Sequence, residues 1–178
     1  MAYKTYEESV NAYKKYIDDH IENVLKAFEF YGNELCERLG LDHDRLAFMI
    51  HDHDKSKYEI EEFDGYRCYF YPTEDEENDV ENKGYTKKKF DAAWLHHLRS
   101  NAHHPEFWIT VDSDNKPVAE VMPRYYVAEM LLDWAAMGIV KGDTAYSYYT
   151  GNIGFKPFHR DTMNIIDSCI DIFKDPIN

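Results

Sequence analysis

Histidine, aspartate and lysine occur together in one short stretch of the chain at a spacing that suits a metal site. The segment HDHDKSK, residues 51–57, places His53 beside Asp54 and places Lys57 three residues later. Imidazole nitrogen and carboxylate oxygen are common ligands of divalent metals, and two side chains near a helix end can reach a single ion. A polar surface run or a helix cap is the alternative interpretation of this doublet when it is taken alone.

The order of the other histidines and acidic residues favours the metal interpretation. In this series His20 precedes the doublet, the segment WLHHLRSNAHHPEFW, residues 94–108, holds four more histidines, and Asp133 follows beside Trp134. A carboxylate on an apolar helix face is costly unless it is paired or bound to a metal. Each member of the series lies on or next to a predicted buried helix face: His20, His53, Asp54, His97, His103, His104 and Asp133.

This succession resembles the HD-domain superfamily of metal-dependent phosphohydrolases. The resemblance implies an all-α, single-domain helical bundle with a metal site between its helices. It implies that His20, His53, Asp54 and Asp133 bind one ion and that His97, His103 and His104 supply ligands for a second. It also implies that Lys57 contacts the substrate phosphate. If two ions bind, Asp54 is the natural carboxylate to bridge them.

The chain is also similar to a bacterial and phage family that is catalogued as a domain of unknown function. The shared pattern is HDxSK, then EFxxY at Glu62, Phe63 and Tyr66, then AWxxHxxxNxHHPE, then EMxxDW, and it spans roughly residues 15–150. The family name carries no activity, so this second resemblance implies a common fold and a common set of polar residues only.

Several residues near the candidate ligands have two interpretations. His20 is either the first ligand or a satisfied core histidine, and Glu129, four residues before Asp133, either contacts a ligand or forms a salt bridge. Helical spacing turns His51 and His96 away from the candidate ligands. We expect two further histidines to be surface or capping residues, and two polar residues either to orient ligands or to have local roles: His43, His159, Asn101 and Glu106.

Apolar residues recur at intervals of three and four along most of the chain, which predicts amphipathic helices. The pattern gives one domain over residues 1–178, with a charged loop insert at residues 72–88 and either a hairpin or an irregular loop over TVDSDNKPVAEV. Glycines and capping residues set the predicted limits of three helices. The first covers residues 5–31 and is ended or bent by Gly32, the second is capped by Asp42 or Asp44 and runs through Lys57, and the third covers residues 123–137 and is ended by Gly138. Further helices are predicted at residues 89–101 and near residues 144–149 and 161–173.

Composition limits the classes of partner. The formal net charge of -14 over 178 residues disfavours duplex nucleic acid and anionic membranes as partners. A small phosphorylated substrate stays possible if a cation reverses the local field. The three cysteines form no CxxC pair and the amino-terminal segment has no apolar core of a signal peptide, so we expect a cytoplasmic protein.

The resemblance to the HD-domain superfamily, taken with the candidate ligands and the acidic composition, implies a hydrolase of a nucleotide or another small phosphate ester that uses one or two divalent ions. Nitrogen and oxygen ligands suit Mn, Fe, Co, Ni, Mg or Zn. Two alternatives use the same residues: a dinuclear iron oxygenase of the HD type, and a non-enzymatic binding or inhibitor protein that the metal stabilises. The sequence leaves the oligomeric state open.

Overall fold

A computed structural model describes residues 2–79 and 83–177. Within these residues the chain forms eight α-helices and one short antiparallel hairpin, which confirms the all-α prediction. The elements are α1 (Tyr6–Leu39), α2 (His43–His51), α3 (Phe63–Phe70), α4 (Glu74–Asn78), α5 (Lys83–Ser100), β1 (Ile109–Val111), β2 (Pro117–Ala119), α6 (Arg124–Lys141), α7 (Ala145–Asn152) and α8 (Arg160–Asp167).

Two compact units divide the chain. The first unit comprises Met1–Asp19 and Asp54–Asn101, and the second comprises His20–His53 and Ala102–Asn178. The long helix α1 therefore contributes residues to both. The single domain over residues 1–178 stays a prediction. No helix of the described ranges has both the length and the apolar character that crossing a membrane requires.

Helix α1 is continuous over 34 residues, so Gly32 does not end it and the predicted limit at residue 31 was wrong. A Cβ atom at Gly32 would lie 2.8 Å from the ring of Phe28, one turn earlier on the same helix. This glycine therefore makes room for an aromatic ring inside a regular helix. Gly40, whose φ is +63°, follows the helix end, because glycine adopts left-handed backbone at little cost.

Helix α2 begins as predicted and ends earlier than predicted. The Asp42 side chain caps it by accepting a hydrogen bond from the backbone N–H of Arg45 at 2.8 Å. The prediction that this helix runs through Lys57 was wrong, because the helix ends at His51 and Asp54 has a left-handed φ of +55°. A 3₁₀ turn, Lys55–Tyr58, follows, so the chain changes direction between His53 and Lys57.

The charged segment at residues 72–88 is not simply a loop, and that prediction was wrong for its helical parts. Thr73 and Glu76 form a reciprocal capping box that starts α4. Helix α5 begins at Lys83, where an ion pair of 2.6 Å between Lys87 and Asp91 supports its first turns. Residues 80–82 lie outside the described residues.

Helix α6 is longer than predicted. Gly138 lies inside it, where a Cβ atom would be 2.5 Å from the backbone oxygen of Asp143. Gly142, with a φ of +68°, is the residue that ends α6, so the assignment of Gly138 as the terminus was wrong. The segment after residue 108 forms the hairpin, and at the far end of the chain α8 gives way to a 3₁₀ turn, Ile170–Phe173.

Each unit has its own packed interior. In the second unit, apolar side chains of α1, α2, α6, α7 and α8 form one hydrophobic core around residues such as Leu35, Ile50 and Leu131. In the first unit, Gly65 of α3 lies so close to α5 that an added Cβ atom would be 2.6 Å from the side chain of Ala93. The buried guanidinium of Arg67 joins these elements to Ser9, Asp64 and Glu76 by hydrogen bonds.

Candidate metal centre

Three polar side chains meet inside the second unit, each brought there by a different helix or its end. His20 lies on α1, three residues after the buried Ile17 and four before the buried Val24. Asp133 lies on α6, and His53 follows α2 in a turn that its backbone N–H closes on the carbonyl of Ile50 at 3.2 Å. Apolar packing of the three helices therefore fixes the polar group.

The donor atoms of these residues are close enough to share one ion. Asp133 Oδ1 lies 3.3 Å from His20 Nε2 and 3.8 Å from His53 Nε2. One ligand atom from each residue lies within 4.8 Å of the other two. Ligand atoms about 2.0 to 2.2 Å from a tetrahedral ion are roughly 3.3 to 3.6 Å apart, so the observed separations fit after a small contraction.

The electrostatics of Asp133 match this role. Burial raises its pKa, and the neighbouring imidazoles of His20 and His53 lower it by more, so the pKa lies well below the ordinary value. The carboxylate is therefore ionised at neutral pH, although only 14% of the side chain is exposed. An ionised carboxylate and two imidazoles form a donor set for a divalent metal without any thiolate.

A second carboxylate on α6 contacts the opposite edge of the His53 ring. Glu129 Oε1 lies 2.9 Å from His53 Nδ1 and 3.2 Å from His103 Nδ1. Burial raises the pKa of Glu129, and hydrogen bonds with His103 and His53 lower it by more. His53, His103 and Glu129 also form a group whose ligand atoms lie within 4.8 Å of one another. The His104 ring packs on His103, with 4.3 Å between ring centroids.

The first unit contains its own chain of polar groups, most of them buried. Lys57 Nζ lies 2.6 Å from Asp54 Oδ2, and His97 Nε2 lies 3.4 Å from Asp54 Oδ1. On its other edge, His97 Nδ1 lies 2.9 Å from Glu62 Oε2, while Glu62 Oε1 lies 2.8 Å from His96 Nδ1. Burial raises the pKa of Glu62, and His97 and His96 lower it by more, so this fully buried side chain is ionised.

A family model covers all of the residues in these groups. The family of unknown function DUF5662 matches residues 9–172, a range that includes every candidate ligand. The chain belongs to DUF5662. Neither the curated proteins nor the solved structures gave a match to this DUF5662 chain.

The structure of this DUF5662 protein also shows the contacts of the polar residues that had two interpretations. His51 is exposed beside Asp52, and the His159 ring caps α8 by accepting from the backbone N–H of Asp161. His43 packs its ring on Phe28. Other contacts are local: Glu106 with Lys156 at 3.6 Å, and the Asn101 amide with Ser56 Oγ at 2.8 Å.

The predicted site omits Glu62 and leaves Glu129 undecided. Glu62 lies in the acidic run EIEEFD and belongs to the EFxxY stretch shared with the family of unknown function, but that resemblance carried no role for it. For Glu129 the signal is its place one helical turn before Asp133.

Proposed function

We propose that this chain is a metal-dependent phosphohydrolase that acts on a nucleotide or another small phosphate ester. The observation that carries the proposal is the convergence of His20, His53 and Asp133 on one buried point. The resemblance of their order along the chain to the HD-domain superfamily supports the choice of phosphate esters as substrates.

Three protein ligands are the number typical of catalytic zinc sites, whereas closed structural sites have four. Among these three, Asp133 is the anionic one, so a divalent ion held there keeps part of its positive charge. When bound, such an ion lowers the pKa of a water molecule toward neutrality and offsets the charge of a phosphate. The role of the chain itself is to hold the donor atoms in place between packed helices.

The resemblance also assigns Asp54 to the metal and Lys57 to the substrate phosphate. Lys57 is buried and forms an ion pair with Asp54. Lysine is rarely buried unless it has such a charge partner. We expect Lys57→Ala to keep the metal content of the protein while kcat/KM falls by roughly ten- to a thousandfold, as on losing one electrostatic contact. Lys55→Ala, which changes an exposed lysine two residues away, is the matched control.

The experiment that tests the proposal uses protein purified without a metal-affinity tag and stripped with a chelator. Each of Mn, Fe, Co, Ni, Mg and Zn is restored in turn, and release of phosphate is measured over a panel of nucleotides and phosphate esters. We expect turnover with at least one ion, its loss in His53→Ala, and its retention in the exposed His51→Ala control. Bound metal without turnover on any ester would contradict the hydrolase and favour a binding protein that the metal stabilises.

One observation favours a second candidate function. Two histidines and one carboxylate are also the ligand set of non-haem iron oxygenases. That activity would require iron and would consume oxygen, so an oxygen electrode separates it from hydrolysis, which proceeds without oxygen.

A further inference from the structure

In each unit one buried glutamate contacts the Nδ1 atoms of two histidines. Glu129 does so with a single oxygen, which reaches His53 and His103. Glu62 does so with both oxygens, one for His96 and one for His97. An ionised carboxylate can only accept hydrogen bonds, so each of these contacts requires an N–H group at Nδ1.

We propose that Glu129 and Glu62 are positioning residues, each of which holds two imidazoles with Nδ1 protonated. A neutral imidazole carries one N–H, so protonation at Nδ1 leaves the lone pair on Nε2, the form that a metal binds. The consequence for metal affinity at His53 rests on the proposed metal centre. The protonation pattern itself does not.

The contacts at the opposite edges of two of these rings are longer, which makes Nδ1 the better placed donor. His53 Nε2 lies 3.8 Å from Asp133 Oδ1 and His97 Nε2 lies 3.4 Å from Asp54 Oδ1, whereas each Nδ1 lies 2.9 Å from its glutamate. Each ring is therefore held between a glutamate at Nδ1 and an aspartate at Nε2. Glu129 and Asp133 are four residues apart on α6, so one helix face supplies both carboxylates of the His53 ring.

A competing donor near His97 does not change this assignment. Asn101 Nδ2 lies 3.0 Å from His97 Nδ1. That amide group has two N–H bonds, and two other acceptors lie closer to it, Ser56 Oγ at 2.8 Å and the His97 carbonyl at 2.9 Å. Glu62 Oε2, at 2.9 Å, is therefore the better placed partner of His97 Nδ1.

The alternative for Glu129 is that it is itself a metal ligand, since it also forms a ligand-sized group with His53 and His103. Substitution by glutamine separates the two roles. A glutamine carbonyl still accepts from both N–H groups, because a single oxygen of Glu129 serves both rings. It is a poor replacement for a carboxylate that binds an ion.

Calorimetric titration of the chelator-treated protein with Zn²⁺ alone tests this assignment. We expect Glu129→Ala to weaken Zn²⁺ binding by about 10- to 100-fold, as for other residues that orient metal-binding histidines. Glu129→Gln should stay much closer to the unsubstituted protein, with the same stoichiometry. Glu22→Ala, which changes an exposed glutamate of α1, is the control. Loss of a Zn²⁺ equivalent in Glu129→Gln, or unchanged affinity in Glu129→Ala, would overturn the assignment.

Nitrogen NMR of histidine-labelled protein gives a second test that needs no variant and no activity. In the Zn²⁺-loaded protein above neutral pH, the rings of His53, His96, His97 and His103 should all carry their proton on Nδ1. Protonation at Nε2 in His96 and His97 would overturn the role of Glu62, and at Nε2 in His53 and His103 that of Glu129. If Glu129→Ala does not fold, these spectra and Glu129→Gln decide. Absence of phosphatase activity would leave both results standing.

Discussion

Replacing Asp133 with asparagine removes one charge from the candidate metal centre and keeps the shape of the side chain. Asp133 is the anionic member of its group with His20 and His53, and it contacts both rings. A neutral amide is a weak ligand for a divalent ion. The substitution should therefore weaken metal binding, while the packing of the helices stays the same.

The size of the effect follows from mass action. A metal present at one hundred times its dissociation constant stabilises the native protein by about 2.7 kcal/mol. For a chain of 178 residues each kcal/mol corresponds to roughly 2 to 4 °C, so the unsubstituted protein should gain about 5 to 11 °C in Tm. If Asp133→Asn weakens affinity about a hundredfold, the same metal concentration contributes about 0.4 kcal/mol, or roughly 1 to 2 °C.

Thermal unfolding of the chelator-treated protein, with and without the restored metal, measures this difference. Asp44→Asn is the control, because Asp44 is a fully exposed residue of α2 whose loss should leave the metal-induced shift unchanged. An equal shift in Asp133→Asn and in the unsubstituted protein would refute the reasoning, since the metal would then bind elsewhere.

Three further outcomes are expected. In metal-free protein, the ion pairs of Asp133 should contribute to the free energy of unfolding above its ordinary pKa of 3.8, and that contribution should be lost as the pH falls toward the lower folded-state pKa. Acid titration should therefore show a smaller loss of stability in Asp133→Asn. By urea unfolding, Gly65→Ala should cost about 1 to 3 kcal/mol through its clash with α5, whereas Gly84→Ala, which has open space around it, should be neutral or stabilising. In the same assay Arg67→Met should cost about 1 to 3 kcal/mol, because it removes the buried guanidinium from its hydrogen bonds. The cost stays in this range because the carboxylate partners are partly exposed, and Arg38→Met, at a more exposed arginine, should change stability less.

Local sequence signals accounted for the helices and failed at their junctions. Apolar spacing located α1 and α6, because burial of one helix face follows from that spacing alone. Gly32 and Gly138 were misassigned as helix ends. Each is a glycine because another group packs too close for a side chain, the Phe28 ring at Gly32 and the Asp143 backbone at Gly138. A single sequence does not show such contacts. The left-handed backbone at Asp54 was missed for a related reason, since aspartate adopts that conformation only where its surroundings require it.

The candidate ligands could be proposed from the sequence because histidine on or next to a buried helix face has few roles. The partners of those ligands were harder to find. Glu62 meets His96 and His97 from more than thirty residues away in sequence, so its role depends on the packing of α3 and its preceding turn against α5. Tertiary contacts of that kind leave no periodic signal.

The most direct test of the metal centre is an anomalous-difference map from crystals of the metal-loaded protein, with data collected on both sides of the absorption edge of the metal. We predict a peak about 2.0 to 2.2 Å from His20 Nε2, His53 Nε2 and an oxygen of Asp133. A fully loaded crystal with no peak at these three residues, or with its peak only at Glu129 and His103, would contradict the account.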